Sequence, residues 1–452
     1  MVGAYSVGRR ITPRCLRGAG IRTMLLAAAF GWMTAAPCPA FEPARQFPDT
    51  SDTIRVFVDQ LSENITRAQM HFAATQYVGT QKLLARQIDA MRRFNPKFLM
   101  LQYRMGVRQP DPSILHIQDN RWANDWVEID RHDDWFIHTR DPVPKRVYQL
   151  VGKNREYVMD ISGRINGNPT NGWKEYWVKT VIESARASHA DGVFADSTHP
   201  PYAVPPELNN SPLGAPPYES YLQDLEVFYD YAYRELDRAD LYFIPNVGHL
   251  INTWDTTSGY YEDVHGAMVE GFGFHGNTED WKLQQNRTLR LLRNGKIYIA
   301  QMDIPSESRD RLWYLANFLL VKHNRSYINM FPHGYGLEGQ LHWWPEYELS
   351  LGRQVHPEVP KDIDALRHGS GVYFREYEKG LVLVNPTRSP LTVRLAGTQQ
   401  YQRVTPVGGG LVDSLGRVPK GSLQLDPQPK EVDLEPWSGV ILLKAEAAAS
   451  PP

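Results

Sequence analysis

From about residue 54 to residue 332, short apolar runs alternate with amphipathic segments. Eight runs read as strands: "MHFAAT" (70–75), "KFLMLQY" (97–103), "EYVMDIS" (156–162), "DGVFADS" (191–197), "LYFIPNVG" (241–248), "GAMVEGFG" (266–273), "KIYIAQMD" (296–303) and "RSYINMFP" (325–332). Each is nearly continuous rather than alternating, the pattern of strands covered on both faces. Segments with helical spacing separate most of them, among them "KLLARQIDAMRRF" (82–94), "WKEYWVKTVIESARA" (173–187) and "YLQDLEVFYDYAYREL" (221–236). Only 249–265 is weak enough to hold no more than a short helix. Eight alternations predict an α/β chain with a (β/α)₈ TIM barrel over 54–355. An open doubly wound sheet is the alternative, but no glycine-rich nucleotide loop follows an early strand.

Near residue 368 the helical periodicity stops. "GVYFREYEKGLVLVNPT" reads as two strands around Lys379-Gly380, and "LTVRLAG" and "VILLK" add more. A C-terminal all-β sandwich over 368–446 is predicted. The segment 333–367 would hold the last barrel loop, a final helix and the joint.

A barrel carries its chemistry at the C-terminal ends of its strands. There this sequence places polar groups at almost every run: Gln102 and Tyr103, Asp160, Asp196, Asn246, Glu270, Gln301 and Asp303, then Asn329 and His333. Such a ring suits a polyhydroxyl ligand. Asp196 and Glu270 are the candidate catalytic pair, since glycosidic cleavage needs one carboxyl acid and one carboxylate. Asp196 would stay ionised, whereas Glu270 stands beside Val269 and Phe272, where apolar surroundings would hold a proton on it. Gln102, Tyr103, Asp160, Asn246, Gln301 and Asp303 are candidate substrate-binding residues. Each has a plainer reading: a turn or N-cap acid for Asp196, a buried ion pair for Glu270, structural hydrogen bonding for the rest. Trp122, Trp126 and Trp135 could stack on sugars or simply pack.

Composition narrows the field. With 42% hydrophobic and 22% charged residues, the chain is not mainly disordered. The first forty residues combine five Arg with "MLLAAAFGWMTAA" and "PCPA", an export signal ending near Ala40 and too short to span a membrane. The mature chain is expected to be periplasmic or extracellular with no integral membrane segment. Losing that segment removes five of 49 basic residues and no acid, leaving 44 against 51, a charge of about −7. No basic stripe remains for nucleic acid. Both cysteines, Cys15 and Cys38, go with it, which excludes disulfides, Cys nucleophiles and Cys-ligated metals. There is no HExxH, EF-hand loop or G-x-S-x-G elbow, so no metal and no cofactor are expected.

"DGVFADS", "FLMLQYRMG", "DWFIHTRD", "YVMDISG" with "NPTNGWKEYW", and "WWPEYELSLGR" together resemble blocks of the hypothetical glycosyl hydrolase family numbered fifteen. More distantly the chain is similar to endo-α-1,4-polygalactosaminidase-like barrels. The likeness spans roughly residues 54–385. It implies a barrel with a C-terminal β-sandwich and an exported glycoside hydrolase with a carbohydrate substrate, with Asp196 and Glu270 as acidic catalysts. Ser197 stands where relatives often carry a second acid. A non-catalytic carbohydrate-binding barrel and a metal-dependent polysaccharide deacetylase are the competing classes.

Overall fold

Eight parallel strands form the central sheet, and they begin earlier in the chain than the apolar runs predict. The computed structural model describes residues 40–445, apart from 62–63, 84, 111–124, 140, 152–153, 165, 168–169, 200–218, 252–257, 274, 305–307 and 333–339. The strands are β1 (Val56–Gln60), β2 (Tyr77–Gln81), β3 (Leu99–Met105), β4 (Gly192–Asp196), β5 (Tyr242–Pro245), β6 (Gly266–Glu270), β7 (Ile297–Ile304) and β8 (Ser326–Pro332). They pair in the order β5-β4-β3-β2-β1-β8-β7-β6. The two end strands meet through a parallel bridge between Asn246 and Met268, and Val247 N–H donates to Met268 O at 3.0 Å. The sheet is therefore a nearly closed barrel. Helices α1 (Arg67–Gln76), α2 (Ala85–Phe94), α3 (Trp173–Ser188), α4 (Glu219–Arg238), α5 (Thr278–Arg293) and α6 (Ser308–Val321) follow strands one to four, six and seven. No helix among the described residues is long and apolar enough to cross a membrane.

Two of the eight predicted strands are corrected. "MHFAAT" lies inside α1, whose start is fixed by a capping box: Gln69 N–H donates to Thr66 Oγ1, and Thr66 N–H to Gln69 Oε1. "EYVMDIS" is not a barrel strand. Asn154–Val158 pairs antiparallel with Arg108–Pro110 and Tyr148–Val151, in a small sheet inserted between β3 and α3. The barrel positions go instead to β1 and β2. On β2, Gly79 is required by close approach, because a Cβ there would lie 2.4 Å from Leu99 O.

Strand alternation sorts the barrel into two sets. Val56, Val58, Met100, Val193, Phe243, Val269, Ala300 and Ile328 pack outward with the helices. The intervening residues, Phe57, Leu101, Phe194, Ile244, Met268, Ile299 and Tyr327, are also buried and face the axis. Phe47, upstream of β1, proves the point: its ring lies 5.5 Å from Phe57, 5.0 Å from Tyr242 and 5.1 Å from Tyr327. Rings from β1, β5 and β8 meet only on the axis, so Phe47 plugs the N-terminal mouth. Arg45 fastens the same segment to the fully buried Asp191 carboxylate at 3.0 Å. Phe47→Ala is expected to destabilise the fold by about 3–5 kcal/mol. Chemical denaturation checks this, and activity per folded molecule should be unchanged because the plug lies at the opposite end from the strand C-termini.

Beyond the barrel, Tyr373–Tyr377, Gly380–Asn385, Ser438–Lys444, Tyr401–Gly408 and Gly421–Gln428 form an antiparallel sheet. A separate pair, Leu391–Arg394 with Glu431–Leu434, faces it across a small core of Leu381, Leu383, Val393, Val432, Leu434, Val440 and Leu442. α6 is wedged between barrel and sheet, and most of its residues are buried all round. Tyr377 Oη donates to Leu319 O at 2.6 Å. Gly439 has no room for a Cβ, which would stand 2.4 Å from Ala316 Cβ. The final helix expected in 333–367 is absent from the described residues, where 3₁₀ turns at Pro345–Glu348 and Ile363–Leu366 take its place. Apart from Ala40, the predicted export signal lies outside the described residues.

Candidate active site

Two residues beyond the last apolar inward layer, every barrel strand presents a polar side chain. The ring is Asp59, Gln81, Tyr103, Asp196, Asn246, Glu270, Gln301 and Asn329, one from each strand or its end. The period of two that buries Phe194 and Met268 therefore aims Asp196 and Glu270 inward, at the C-terminal mouth.

Asn246 joins the two acids. Its Nδ2 donates to Asp196 Oδ1 at 3.0 Å and to Glu270 Oε2 at 2.8 Å. Those two oxygens cannot be farther apart than these lengths laid end to end, about 5.8 Å. The amide is itself oriented, because Gly248 N–H donates to Asn246 Oδ1 at 2.9 Å. Asp196 also accepts from Tyr103 Oη at 2.6 Å and from Ser197 N–H at 2.7 Å. The donor of that second bond, Ser197, sits in the left-handed region at φ 51°. Strained backbone of this kind clusters at working sites.

The acids differ in charge state. Burial pushes the Asp196 carboxyl up, but the Lys82 ammonium and the donors Tyr103, Ser197 N–H and Asn246 outweigh it. The net position is below the ordinary aspartate value. Glu270 is raised, first by desolvation and then by the Asp196 charge, against weaker opposition from Asn246 and Lys82. Glu270 is surrounded by protein yet keeps an exposed face. Accessible surface decides whether a ligand can reach it, and the packed surroundings decide its proton. One carboxyl group held below its ordinary value and one held above it thus share a donor in one open site.

The remaining candidates divide. Tyr103 and Asn246 are in the site; Gln301 stands between Glu270 and Asn329 across the ladder. Gln102 faces outward, donating to Val181 O at 2.7 Å and accepting from Ser184 Oγ at 2.6 Å on α3. Asp160 belongs to the inserted segment, is 1% exposed, and accepts from Asn166 N–H at 2.8 Å. The Asp303 side chain, His333 and Trp122 lie outside the described residues. Trp135 is buried with its ring 4.0 Å from that of His132, and Trp126 stacks on Tyr157.

Asp59, Gln81 and Lys82 are site residues that the sequence reading missed. Lys82 Nζ lies 2.9 Å from Asp59 Oδ2, and Gln81 also donates to Asp59. The signal was present: "VFVD" at 56–59 ends an apolar run on an acid just as "VFAD" does at 193–196. Among the described residues no group of three His, Cys, Asp or Glu could hold a metal ion.

The sequence matches the model of hypothetical glycosyl hydrolase family 15 over residues 92–381, a span that includes Asp196 and Glu270. No curated protein sequence matches the chain. Similar solved structures include the glycoside hydrolase domain of PelA from Pseudomonas aeruginosa, at 13% identity and TM-score 0.39, covering 62% of this chain and 95% of that one. A glucose complex of a Flavobacterium johnsoniae GH31 dextranase matches at 8% identity and TM-score 0.44, covering 88% and 52%. The pullulanase of Bacillus acidopullulyticus matches at 9% identity and TM-score 0.41, covering 89% and 62%.

Proposed function

Because this chain belongs to hypothetical glycosyl hydrolase family 15, we propose that it is an exported glycoside hydrolase that cleaves O-glycosidic bonds of a polysaccharide or oligosaccharide with net retention. Asp196 is the nucleophile and Glu270 the acid–base residue. The observation that carries this reading is the single Asn246 amide held by two carboxyl groups of opposite tendency. An ionised Asp196 can attack the anomeric carbon while Glu270 passes its proton to the leaving oxygen. Water then attacks the glycosyl ester, and Glu270 takes that water's proton. One oxygen of each group within about 5.8 Å of the other supports retention, since retaining pairs stand about 5–5.5 Å apart and inverting pairs roughly 6.5–9.5 Å. Tyr103 and Asn246 hold the nucleophile, and Gln301 and Asn329 offer polar contacts to sugar hydroxyls.

The test is a polysaccharide digestion screen with product masses, run on the mature protein from Phe41 onward. On a cleaved substrate, kcat/KM should follow a bell. Activity needs Asp196 ionised, so it rises through a value below the ordinary 3.8. It also needs Glu270 protonated, so it falls only above the ordinary 4.5. The two limbs belong to the coupled pair. The plateau therefore includes the interval between those two ordinary values; activity that keeps rising into alkaline pH would contradict the role split.

A further inference from the structure

The two-carboxylate reading leaves one charged pair unused, Asp59 at the end of β1 and Lys82 just after β2. Resting on that reading, we propose that Lys82, anchored by Asp59, is a positioning residue that serves as the fixed counter-charge first of Asp196 and then of Glu270. The two side chains are only 12% and 17% exposed, and a charge so far from water is costly unless partnered. Lys82 holds a left-handed backbone, φ 64°, which a lysine adopts only when its surroundings dictate it. That turn carries its Nζ over the rings of Tyr103 and Phe194, 5.3 and 5.7 Å from their centroids. Tyr103 is the residue that hydrogen-bonds Asp196, and Phe194 is the inward residue one layer below it.

The charged and titratable groups facing this point are few. Asp59 comes from β1, Lys82 from the end of β2, Tyr103 from β3, Asp196 from β4 and Glu270 from β6. His249, after β5, lies against Gly271 and is held towards its neutral form by burial. Gln81, Asn246, Gln301 and Asn329 complete the ring without charge. Lys82 is thus the one ammonium among the described ring groups. Burial alone would push its proton off, but Asp59 and then Asp196 more than offset this, so it stays charged.

The reaction moves a negative charge across this site. When the Asp196 oxygen bonds to the anomeric carbon, its charge is consumed in the ester. The bond to the leaving oxygen breaks, that oxygen takes the Glu270 proton, and Glu270 becomes the carboxylate. Hydrolysis of the ester by water, with Glu270 taking the water's proton, restores the start. One negative charge besides Asp59 faces Lys82 throughout. A fixed cation acting on both carboxyls, as the downward pull of Lys82 on each indicates, needs no rearrangement between steps.

Carbon-13 NMR titration of labelled Asp and Glu carboxyls tests this without any substrate, with Asp196→Asn and Glu270→Gln assigning the signals. Lys82→Met keeps the stem over the two rings and removes the charge. Both midpoints should rise, Asp196 by about one unit or more. Asp59→Asn removes the competing anion and leaves Lys82, so both midpoints should fall. Opposite signs from the two variants are something a merely structural lysine would not produce. Unmoved midpoints in Lys82→Met, or shifts of the same sign in both variants, overturn the proposal. If Lys82→Met does not fold, Lys82→Gln, which also removes the charge, takes its place: a rise of both midpoints supports the proposal, and no change or a fall overturns it. The glycosidase reading fails separately, if Asp196→Asn and Glu270→Gln remain active on a polysaccharide that the wild-type protein cleaves.

Discussion

Asp196→Asn is expected to remove polysaccharide cleavage to the background of the assay. The amide keeps the volume and most of the hydrogen bonds, including acceptance from Ser197 N–H at 2.7 Å, but it has no charge with which to attack. No second acid follows it, because Ser197 occupies the next position. The melting temperature should hardly change, since Lys82 retains Asp59 at 2.9 Å. Added azide should restore turnover to Asp196→Ala by entering the vacated space as an external nucleophile. Full activity in Asp196→Asn would remove the nucleophile from this account.

Glu270→Gln should lose a factor on the order of 10²–10⁴ in kcat/KM on natural polysaccharide, the range ascribed to one general acid–base group. The loss should depend on the leaving group. Glycosylation of the enzyme from an aryl glycoside with an acidic phenol needs little protonation and should be far less affected. The alkaline limb of the pH profile should also vanish, because the group whose raised proton affinity sets it is gone. A uniform loss for all leaving groups would assign Glu270 to binding rather than proton transfer.

Much of the barrel was legible because its outward and inward faces are both apolar, giving continuous runs at β3 through β8. The same rule misread "EYVMDIS", since an apolar run that stays buried past the end of a short antiparallel strand looks identical in one dimension. Val158, Met159 and Ile161 are fully buried there without belonging to the barrel. β2 was hidden for the opposite reason. Its inward residue is Gly79, small because the backbone of β3 comes so close, and Thr80 and Gln81 are buried polar groups. "MHFAAT" shows that a six-residue run does not choose between helix and strand, whereas the T-x-x-Q cap before it does.

The site followed the same logic. Asp196, Glu270, Asn246 and Tyr103 were legible as polar ends of apolar runs. Gln102 was not separable from Tyr103 until the pleat assigned one outward and the other inward. Asp160 shared the pattern but sits on the insertion, where it accepts a turn N–H. Asp59 and Lys82 escaped because their strands went unrecognised, although their contact at 2.9 Å belongs to the same polar ring.

A retaining pair formed by Asp196 and Glu270 across Asn246 would fix the stereochemistry of the product. Proton NMR of the first products, read before mutarotation on a polysaccharide that the wild-type protein cleaves, tests it most directly. The expected result is a first-formed reducing end with the anomeric configuration of the bond that was cut, and no such signal from Asp196→Asn. A first-formed product of inverted configuration would contradict it.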